Sequence, residues 1–295
     1  MKIGFLILAH RYPTQLENLI HSLLTFPDAS VYVHIDQKSE ELYKNISEIF
    51  TGTNQVVFLQ ERYSVYWGSF NQIQATFALI KKAVERKHED YFMLLSGQDF
   101  LIKKPETLIQ FFTENKGKQF LVNFQLPDSQ WKDGGLNRLA YYSIDIDGHP
   151  WFTNKVNTLI ERLHRYSGFK RKTKFQQYGG SNWFNLDFNA MKYIVQFINS
   201  NPEFYKSFKY TRCADEIFIQ SILMNSNFAS QVVSDDLRFI DWSSGPEYPR
   251  ILRSADLDRM VHAKHKFFGR KFDSTVDAKI LDELSQYIRS EPHFT

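Results

Sequence analysis

The sequence is poor in several features that define whole classes of protein. It has one cysteine, Cys213, so no disulfide bond can form within the chain, and this fits a reducing compartment. It contains no run of about 18 apolar residues, so no membrane span is expected. Its net charge is only +3, with 36 basic and 33 acidic residues, which gives no reason to expect binding to nucleic acid.

Glycine is missing where a phosphate-binding loop would need it. Neither GxGxxG nor GxxxxGK[ST] follows an expected strand, which argues against a dinucleotide oxidoreductase and a P-loop enzyme. A signal peptide has a longer apolar run that is followed by a small-residue cleavage site. The opening apolar run of this chain, residues 3–9, is short, and no such site follows it. We interpret this run as a buried strand.

What the chain does have is a regular alternation of apolar runs and amphipathic segments. The 295 residues are 43% hydrophobic and 16% aromatic, enough for a substantial core. Between the runs, apolar residues recur at helical spacing. Strands are expected at 3–9, 31–35, 56–59, 91–95 and 120–122. This order predicts an α/β fold with a central, mainly parallel, twisted sheet flanked by helices.

Ligands of such sheets bind beyond the carboxyl ends of the strands. His10, Asp36 and Asp99 each follow an expected strand end and are therefore candidates for a binding site. Asp36 has two interpretations. It could bind a ribose or a base edge, or it could be the N-cap of the next helix.

The middle of the chain, about 125–174, is aromatic and basic without a clear period, and we expect an irregular lid over the sheet. Its basic segment 162–174 is a solvated face or a contact for an anionic acceptor or lipid headgroups. The basic residues of this segment are Arg162, Arg165, Lys170, Arg171, Lys172 and Lys174.

Three further clusters could carry chemistry. Asp215 and Glu216 open an expected helix at 214–224, where acids either complement the helix dipole or supply a general base. Trp242 follows an expected strand and could stack on a sugar or belong to the core. Arg270 and Lys271 lie among three phenylalanines, either as an exposed basic loop or as a cationic site for a phosphate-bearing ligand.

Seven segments together resemble a known family. They occur in the order seen in the core-2/I-branching glycosyltransferases, which group β-1,6-N-acetylglucosaminyltransferases with peptide O-xylosyltransferases. The resemblance covers about residues 3–273. The segments are VYVHIDQKS, YSVYWGSFNQIQATFALI, FMLLSGQDFLIK, YGGSNWFNLD, ADEIFIQSIL, FIDWSS and FFGRKFD.

The resemblance implies a GT-A-like fold, a UDP-sugar donor, inversion at the anomeric carbon and no required metal or other cofactor. It implies that Glu216 is the catalytic base. It implies donor (UDP) contacts from one set of residues: His10, Asp36, Gly68, Arg250, Arg270 and Lys271, with Arg253 as the alternative to Arg250. It implies acceptor contacts from another set: Asp99, Trp183, Asp215 and Trp242.

The chain also departs from the family pattern. It has Ala214 where the family often has proline, and we expect neither the N-terminal anchor nor the disulfides of the animal branching enzymes. The resemblance is therefore closest to soluble prokaryotic members. We expect a single domain of residues 1–295, with a nucleotide-binding half at 1–123 and an acceptor-binding and catalytic half at 124–295.

The resulting hypothesis is a metal-independent, inverting transfer of a sugar, GlcNAc or xylose, from a UDP-sugar to a hydroxyl of a glycan or lipid-linked oligosaccharide. We expect a cytoplasmic protein, peripheral at the inner face of the membrane through segment 162–174, with no nucleic-acid partner. One alternative is a metal-dependent transferase using Asp145 and Asp147, an Asp-x-Asp pattern that recurs at Asp256 and Asp258. The other is a non-catalytic protein that binds a glycan or nucleotide.

Overall fold

A seven-stranded sheet organises the computed structural model, which describes residues 1–146, 149–172, 175–245 and 248–290. The described strands are β1 Ile3–Ala9, β2 Ala29–Ile35, β3 Val56–Phe58, β4 Tyr91–Ser96, β5 Asp99–Leu101, β6 Gln119–Leu121, β7 Phe124–Gln125, β8 Tyr178–Gly179, β9 Phe184–Asp187, β10 Val232–Val233, β11 Arg238–Ile240 and β12 Phe268–Arg270. The central sheet has the order β10-β6-β9-β4-β1-β2-β3. Only β9 runs antiparallel to its neighbours, so the predicted mainly parallel α/β sheet is confirmed.

Helices cover both faces of this sheet. The described α-helices are α1 Pro13–Leu23, α2 Glu40–Ile49, α3 Phe70–Arg86, α4 Pro105–Glu114, α5 Leu136–Ala140, α6 Pro150–Ser167, α7 Phe188–Ser200, α8 Pro202–Ser207, α9 Phe218–Met224, α10 Leu257–His262 and α11 Lys279–Arg289. Along β1, Phe5 and Ile7 pack in the core that contains α1, whereas Leu6 packs in the core that contains α3. The uninterrupted apolar sequence of β1 follows from this double cover.

A small second sheet places the basic segment of residues 267–273 beside the end of β4. In it, β12 lies between β11, which is parallel, and β5, which is antiparallel. The register pairs Arg270 with Asp99. Since β5 follows β4 after a two-residue turn, this pairing brings Arg270 to the carboxyl edge of the central sheet.

The prediction that the middle of the chain is irregular is wrong for the part that forms α6. This helix has 18 residues and begins with Pro150 at a position that favours helix starts. Its apolar residues do recur at helical spacing, but the many aromatic and basic residues around them lead to the prediction of an irregular segment. Asp147 and Lys174 lie outside the described residues.

Two further observations bear on the predicted organisation. Strand β9 of the predicted catalytic half inserts between β4 and β6 of the predicted nucleotide-binding half, so both halves contribute to one sheet. The division into halves stays a prediction. Among the described helices, none combines the length and the apolar character needed to cross a membrane.

Candidate active site

The predicted site residues gather at the carboxyl edge of the central sheet. β1, β2 and β4 end there with His10, Asp36 and Gly97 next in the chain. β9 runs the other way, so the residue before it, Trp183, lies at the same edge. Loops at this edge are the usual ligand-binding region of a mainly parallel sheet.

Arg270 is held in place by two residues that were predicted to bind the acceptor. Its guanidinium carbon lies 3.9 Å from the centre of the Trp183 ring, within the range of a cation–π contact. Its Nη1 lies 3.4 Å from Oδ1 of Asp99, a fully buried carboxylate. The Arg270 side chain is only 15% exposed. Asp99 and Trp183 therefore position Arg270 in this structure, and their contact with an acceptor stays a prediction.

Lys271 is the neighbouring cation, and it forms no ion pair with a described residue. It lines an open cavity of about 790 Å³ whose other described lining residues are Ser244, Gly245, Tyr248, Pro249, Arg250, Ile251 and Arg253. Burial lowers the pKa of Lys271, and the nearby charges of Arg11 and Arg270 lower it further. A partly desolvated ammonium among other cations is favourable only when an anion joins it.

Arg250 also lines this cavity, but its hydrogen-bonding capacity is already used. Nε and Nη2 donate to Asp241 at 3.1 and 2.7 Å, and Nη1 and Nη2 donate to Asp256 at 3.0 and 2.7 Å. Nη1 also donates to the carbonyl of Ile251 at 3.4 Å. A guanidinium has five N–H donors, so none is left for a phosphate. The hydrogen bonds to Asp256 and Asp241 raise the pKa of Arg250.

Arg253 differs from Arg250 in this respect. It is exposed, lines the same cavity, and makes no ion pair with a described residue. Of the two arginines considered for the diphosphate, Arg253 has its charge available and Arg250 does not.

Glu216, the predicted base, lies in a 3-10 turn, Ala214–Glu216, rather than in the first turn of α9. Its carboxylate accepts a hydrogen bond from Nη1 of Arg138, and the two side chains are 36% and 26% exposed. The guanidinium carbon of Arg138 lies 4.0 Å from the centre of the Trp131 ring. Sequence reasoning missed Arg138, since nothing in its local sequence marks it as a partner of a residue 78 positions away.

The neighbouring acid, Asp215, is in a different environment. Burial, together with the charge of Glu216, raises the pKa of Asp215 to about 7. Its buried Oδ1 has no hydrogen-bond partner among the described residues. Glu216 is thus the accessible carboxylate of the pair, and Asp215 is the enclosed one.

Gly68, predicted to contact the donor, supports the turn that carries these two acids. Its carbonyl accepts the N–H of Cys213 at 2.9 Å. Gly68 has φ +75°, and a Cβ there would lie 3.1 Å from the Cys213 sulfur. Burial raises the pKa of the Cys213 thiol to about 12, so it stays protonated at neutral pH. A donor contact by Gly68 stays a prediction.

Residues 180–183 connect the Glu216 turn with the Arg270 site. Gly180 donates its N–H to the carbonyl of Glu216 at 2.9 Å, and the ring of Trp183 contacts the guanidinium of Arg270. Three residues span at most about 11 Å between Cα atoms. The turn that contains the candidate base and the Trp183 ring that contacts Arg270 are therefore close together at the same edge of the sheet.

The interpretation of Asp36 as a helix cap is wrong, because Ser39 is the N-cap of α2. The Asp36 carboxylate accepts hydrogen bonds from the backbone and side chain of Lys38, each at 2.8 Å, and from Val65 N at 3.0 Å. It thereby fixes the loop that precedes Gly68. Its contact with uridine stays a prediction.

The remaining two predicted residues are exposed at the loops of this edge. His10 follows β1, and its carbonyl accepts a hydrogen bond from the Ser39 hydroxyl at 2.7 Å. Trp242 follows β11 and is 52% exposed. Both are accessible to a ligand, and their contacts stay predictions.

The described residues contain no group of three or more His, Cys, Asp or Glu that could hold a metal ion. Asp256 forms an ion pair with Arg250, and Asp258 lies within ion-pair distance of His262. Asp147 falls outside the described ranges, so the alternative of a metal held by Asp145 and Asp147 stays a prediction. Metal independence stays a prediction.

The mainly parallel sheet and its flanking helices define an α/β protein, and the predicted site residues lie at the carboxyl edge, where ligands of such sheets usually bind. The family model "Core-2/I-Branching enzyme" matches residues 3–264, and the chain belongs to this family. The resemblance predicted from the sequence is confirmed.

Curated relatives agree with this membership. The chain is similar to "Xylosyltransferase 2" of Rattus norvegicus, 25% identical over 310 residues, which are 98% of this chain and 34% of the relative. It is similar to "Xylosyltransferase" of Ciona intestinalis, 23% identical over 305 residues, with 96% and 34% covered. The chain thus spans about a third of the length of these relatives. Among solved structures, mannose-6-phosphate isomerase from Helicobacter pylori matches with a TM-score of 0.35 and 14% identity, covering 70% of this chain and 78% of that one.

Proposed function

We propose that this chain is an inverting glycosyltransferase that moves a sugar, xylose or GlcNAc, from a UDP-sugar to a hydroxyl of a glycan acceptor. The observation that carries the proposal is Lys271, a partly buried ammonium with no described ion-pair partner, which lines a cavity with Arg253 and follows Arg270 in the chain. Such a site is suited to a diphosphate. The names of the xylosyltransferase relatives support the choice of sugar donor.

The leaving group determines what the cationic pair must do. As the bond between C1 of the sugar and the diphosphate oxygen breaks, its electron pair goes to UDP and negative charge grows there. Preorganised donors near that charge stabilise the transition state without reorganisation, and removing one typically costs about 3–4 kcal/mol in activation free energy. Lys271 and Arg270, with Arg253 of the same cavity as Lys271, would supply the positive charge that other transferases obtain from a bound metal.

Glu216 would act on the other side of the reaction. Its partly exposed carboxylate would take the proton of the attacking hydroxyl while the new oxygen–C1 bond forms. Attack from the face opposite to UDP inverts the anomeric centre. Arg138 would hold the carboxylate in its orientation, and Trp131 would hold Arg138.

The arrangement also revises the proposed donor contacts. Arg253 replaces Arg250 as the second diphosphate arginine, because the five donors of Arg250 are engaged by Asp241, Asp256 and Ile251. Arg250 would then act indirectly, by fixing the loop on which Arg253 and the cavity wall are built.

A donor screen tests the proposal. The full chain is incubated with UDP-xylose, UDP-GlcNAc or UDP-glucose and simple glycan acceptors, and UDP release is measured beside calorimetric binding of each donor. We expect one donor to bind and to release UDP faster with acceptor than without it. If none of the three donors binds, the assignment is wrong. If a donor binds but no acceptor accelerates UDP release and Glu216→Gln has no effect on it, the chain is a binding protein.

A further inference from the structure

The inner side of the helix α6 carries polar anchoring residues beside the half-buried Val156 and Ile160. The side chain of Asn157 bonds to both the N–H and the carbonyl of Ile144, each at 2.8 Å. Thr153 Oγ1 accepts the N–H of Ile146 at 3.1 Å. A surface helix of a globular protein normally turns its apolar face to the core. In α6 the inner side combines these polar contacts with two half-buried aliphatic residues, and the larger apolar side chains lie on another face.

That apolar face is exposed to solvent. At 100° per residue, four large apolar side chains of α6 fall within about 60° of one another around the helix. They are Phe152 (51% exposed), Leu159 (58%), Leu163 (58%) and Tyr166 (94%). Trp151 and Phe169 at the two ends are exposed as well. Of fifteen exposed large apolar side chains in the described residues, these six fall within nineteen positions, and such a concentration marks an interaction surface.

The same segment carries an excess of positive charge. Residues 149–172 contain six basic residues and one acidic residue, a net charge of +5. Because the whole chain has a net charge of +3, all other residues together carry −2. Positive charge is therefore concentrated where the apolar side chains are exposed, and the partner that complements this surface is anionic as well as apolar.

We infer that α6 and the residues after it, 150–172, form a docking surface for an anionic lipid bilayer. A basic amphipathic helix with Trp and Tyr lies in the plane of the membrane interface, with its apolar side chains among the upper acyl chains. Basic residues near the surface are attracted to anionic headgroups. The exposed face of α6 supplies the apolar side chains, and the basic residues Arg162 and Lys170 are adjacent in the chain to Leu163 and Phe169. This inference does not depend on the proposed reaction.

Vesicle sedimentation tests the surface directly. The full chain is mixed with vesicles of phosphatidylcholine alone, or with vesicles that also contain phosphatidylglycerol. We expect the protein to sediment with the anionic vesicles and much less with the neutral ones, and we expect added salt to weaken the binding. If the protein sediments with neither, or equally with both, the inference is wrong.

Paired variants separate this surface from general stickiness. Leu159→Ser should weaken vesicle binding about tenfold through lost apolar burial, whereas Ile49→Ser, at an equally exposed position on α2, should not. Arg162→Glu should weaken it more than about fivefold, and the matched change Lys81→Glu on α3 should have little effect.

Two outcomes would overturn the assignment. One is that the control variants lose as much binding as the α6 variants. The other is that light scattering shows a dimer that Leu159→Ser dissociates, while vesicle binding is absent, since a second copy of the chain would then cover the helix. Circular dichroism confirms that each variant is folded.

Discussion

Arg138 donates a hydrogen bond to the carboxylate of Glu216, and this pair joins two segments that are 78 residues apart. Arg138 lies on α5, and its guanidinium rests on the Trp131 ring at 4.0 Å. Both partners are partly exposed to solvent. The pair thus orients the proposed base from outside its own turn and links the region around α5 to the chemistry.

We expect Glu216→Gln to abolish transfer while UDP binding stays nearly unchanged. The amide keeps the shape of the side chain and can still accept from Arg138, but it cannot take a proton, and loss of a general base typically lowers the rate by about 10²–10⁴. UDP release gives the rate, and calorimetry gives the UDP affinity. Glu203→Gln, at an exposed position on α8, is the control. Parallel loss of affinity and activity would give Glu216 a structural role.

Arg138→Ala should lower kcat by about 10-fold to 100-fold with little change in the KM for the donor, because a charge-assisted hydrogen bond contributes about 1.5–3 kcal/mol. Arg138→Lys should recover part of the rate, since it restores the charge without the planar contact to Trp131. Steady-state kinetics of both variants check this. An equal rise in KM without a fall in kcat would place Arg138 in donor binding instead.

Alanine substitutions of the cations that line the cavity should have two different effects, one on UDP affinity and one on Tm. Lys271→Ala and Arg253→Ala should each weaken UDP binding about 10-fold or more, because each removes a charged donor to the diphosphate. Arg250→Ala should instead lower Tm, because Asp241 and Asp256 lose the cation between them. Calorimetry and thermal unfolding of the three variants decide the matter. If Arg250→Ala abolishes UDP binding without lowering Tm, Arg250 contacts the donor directly.

Gly180→Ala should lower both stability and activity. A Cβ at this position would lie 1.8 Å from the carbonyl oxygen of Val122, so the backbone must shift, at a cost of at least about 2 kcal/mol. The shift would also move the N–H that Gly180 donates to Glu216. Thermal unfolding and UDP release measure the two effects. Gly117→Ala, where φ is +86° and the space is open, should affect stability only. Wild-type activity in Gly180→Ala would contradict this account.

The buried carboxyl of Asp215 should make stability depend on pH. Its pKa is about 7 in the folded protein and about 4 when exposed, so between these values the folded state holds a proton that the unfolded state has lost. Stability contributed by this group is therefore present at low pH and lost as pH rises toward 7. Asp215→Asn has no carboxyl to ionise, so it should not lose stability in this way as the pH rises. The Tm of the variant minus the Tm of the wild type should therefore increase from pH 5 to pH 8. Parallel Tm curves would contradict it.

The central sheet could be predicted from the sequence because its inner strands are covered on both faces. β1 and β2 are almost entirely buried; β1 is apolar without interruption, and β2 is apolar except for Ser30 and His34. The helix α6 could not be predicted in the same way. Its largest apolar residues share one face, but that face is exposed to solvent, so the usual rule that an apolar face packs on the core does not apply to it.

The candidate site was predictable as a set of residues but not as a set of contacts. The order of the motifs identified Asp99, Trp183 and Arg270 as site residues. Only the folded structure, in which β12 pairs with β5, shows that Asp99 and Trp183 hold Arg270 in place. Arg250 was identified as a cation, but its availability depends on Asp241 and Asp256, whose side chains converge only in the folded loop.

UDP release in the presence of excess EDTA tests the central claim most directly, namely that Arg270, Lys271 and Arg253 stabilise the leaving diphosphate. The account predicts that metal-stripped protein transfers sugar at an unchanged rate with EDTA present, and that Lys271→Ala reduces this rate by about 10²–10³. Complete loss of transfer with EDTA, restored by adding a divalent ion, would contradict it.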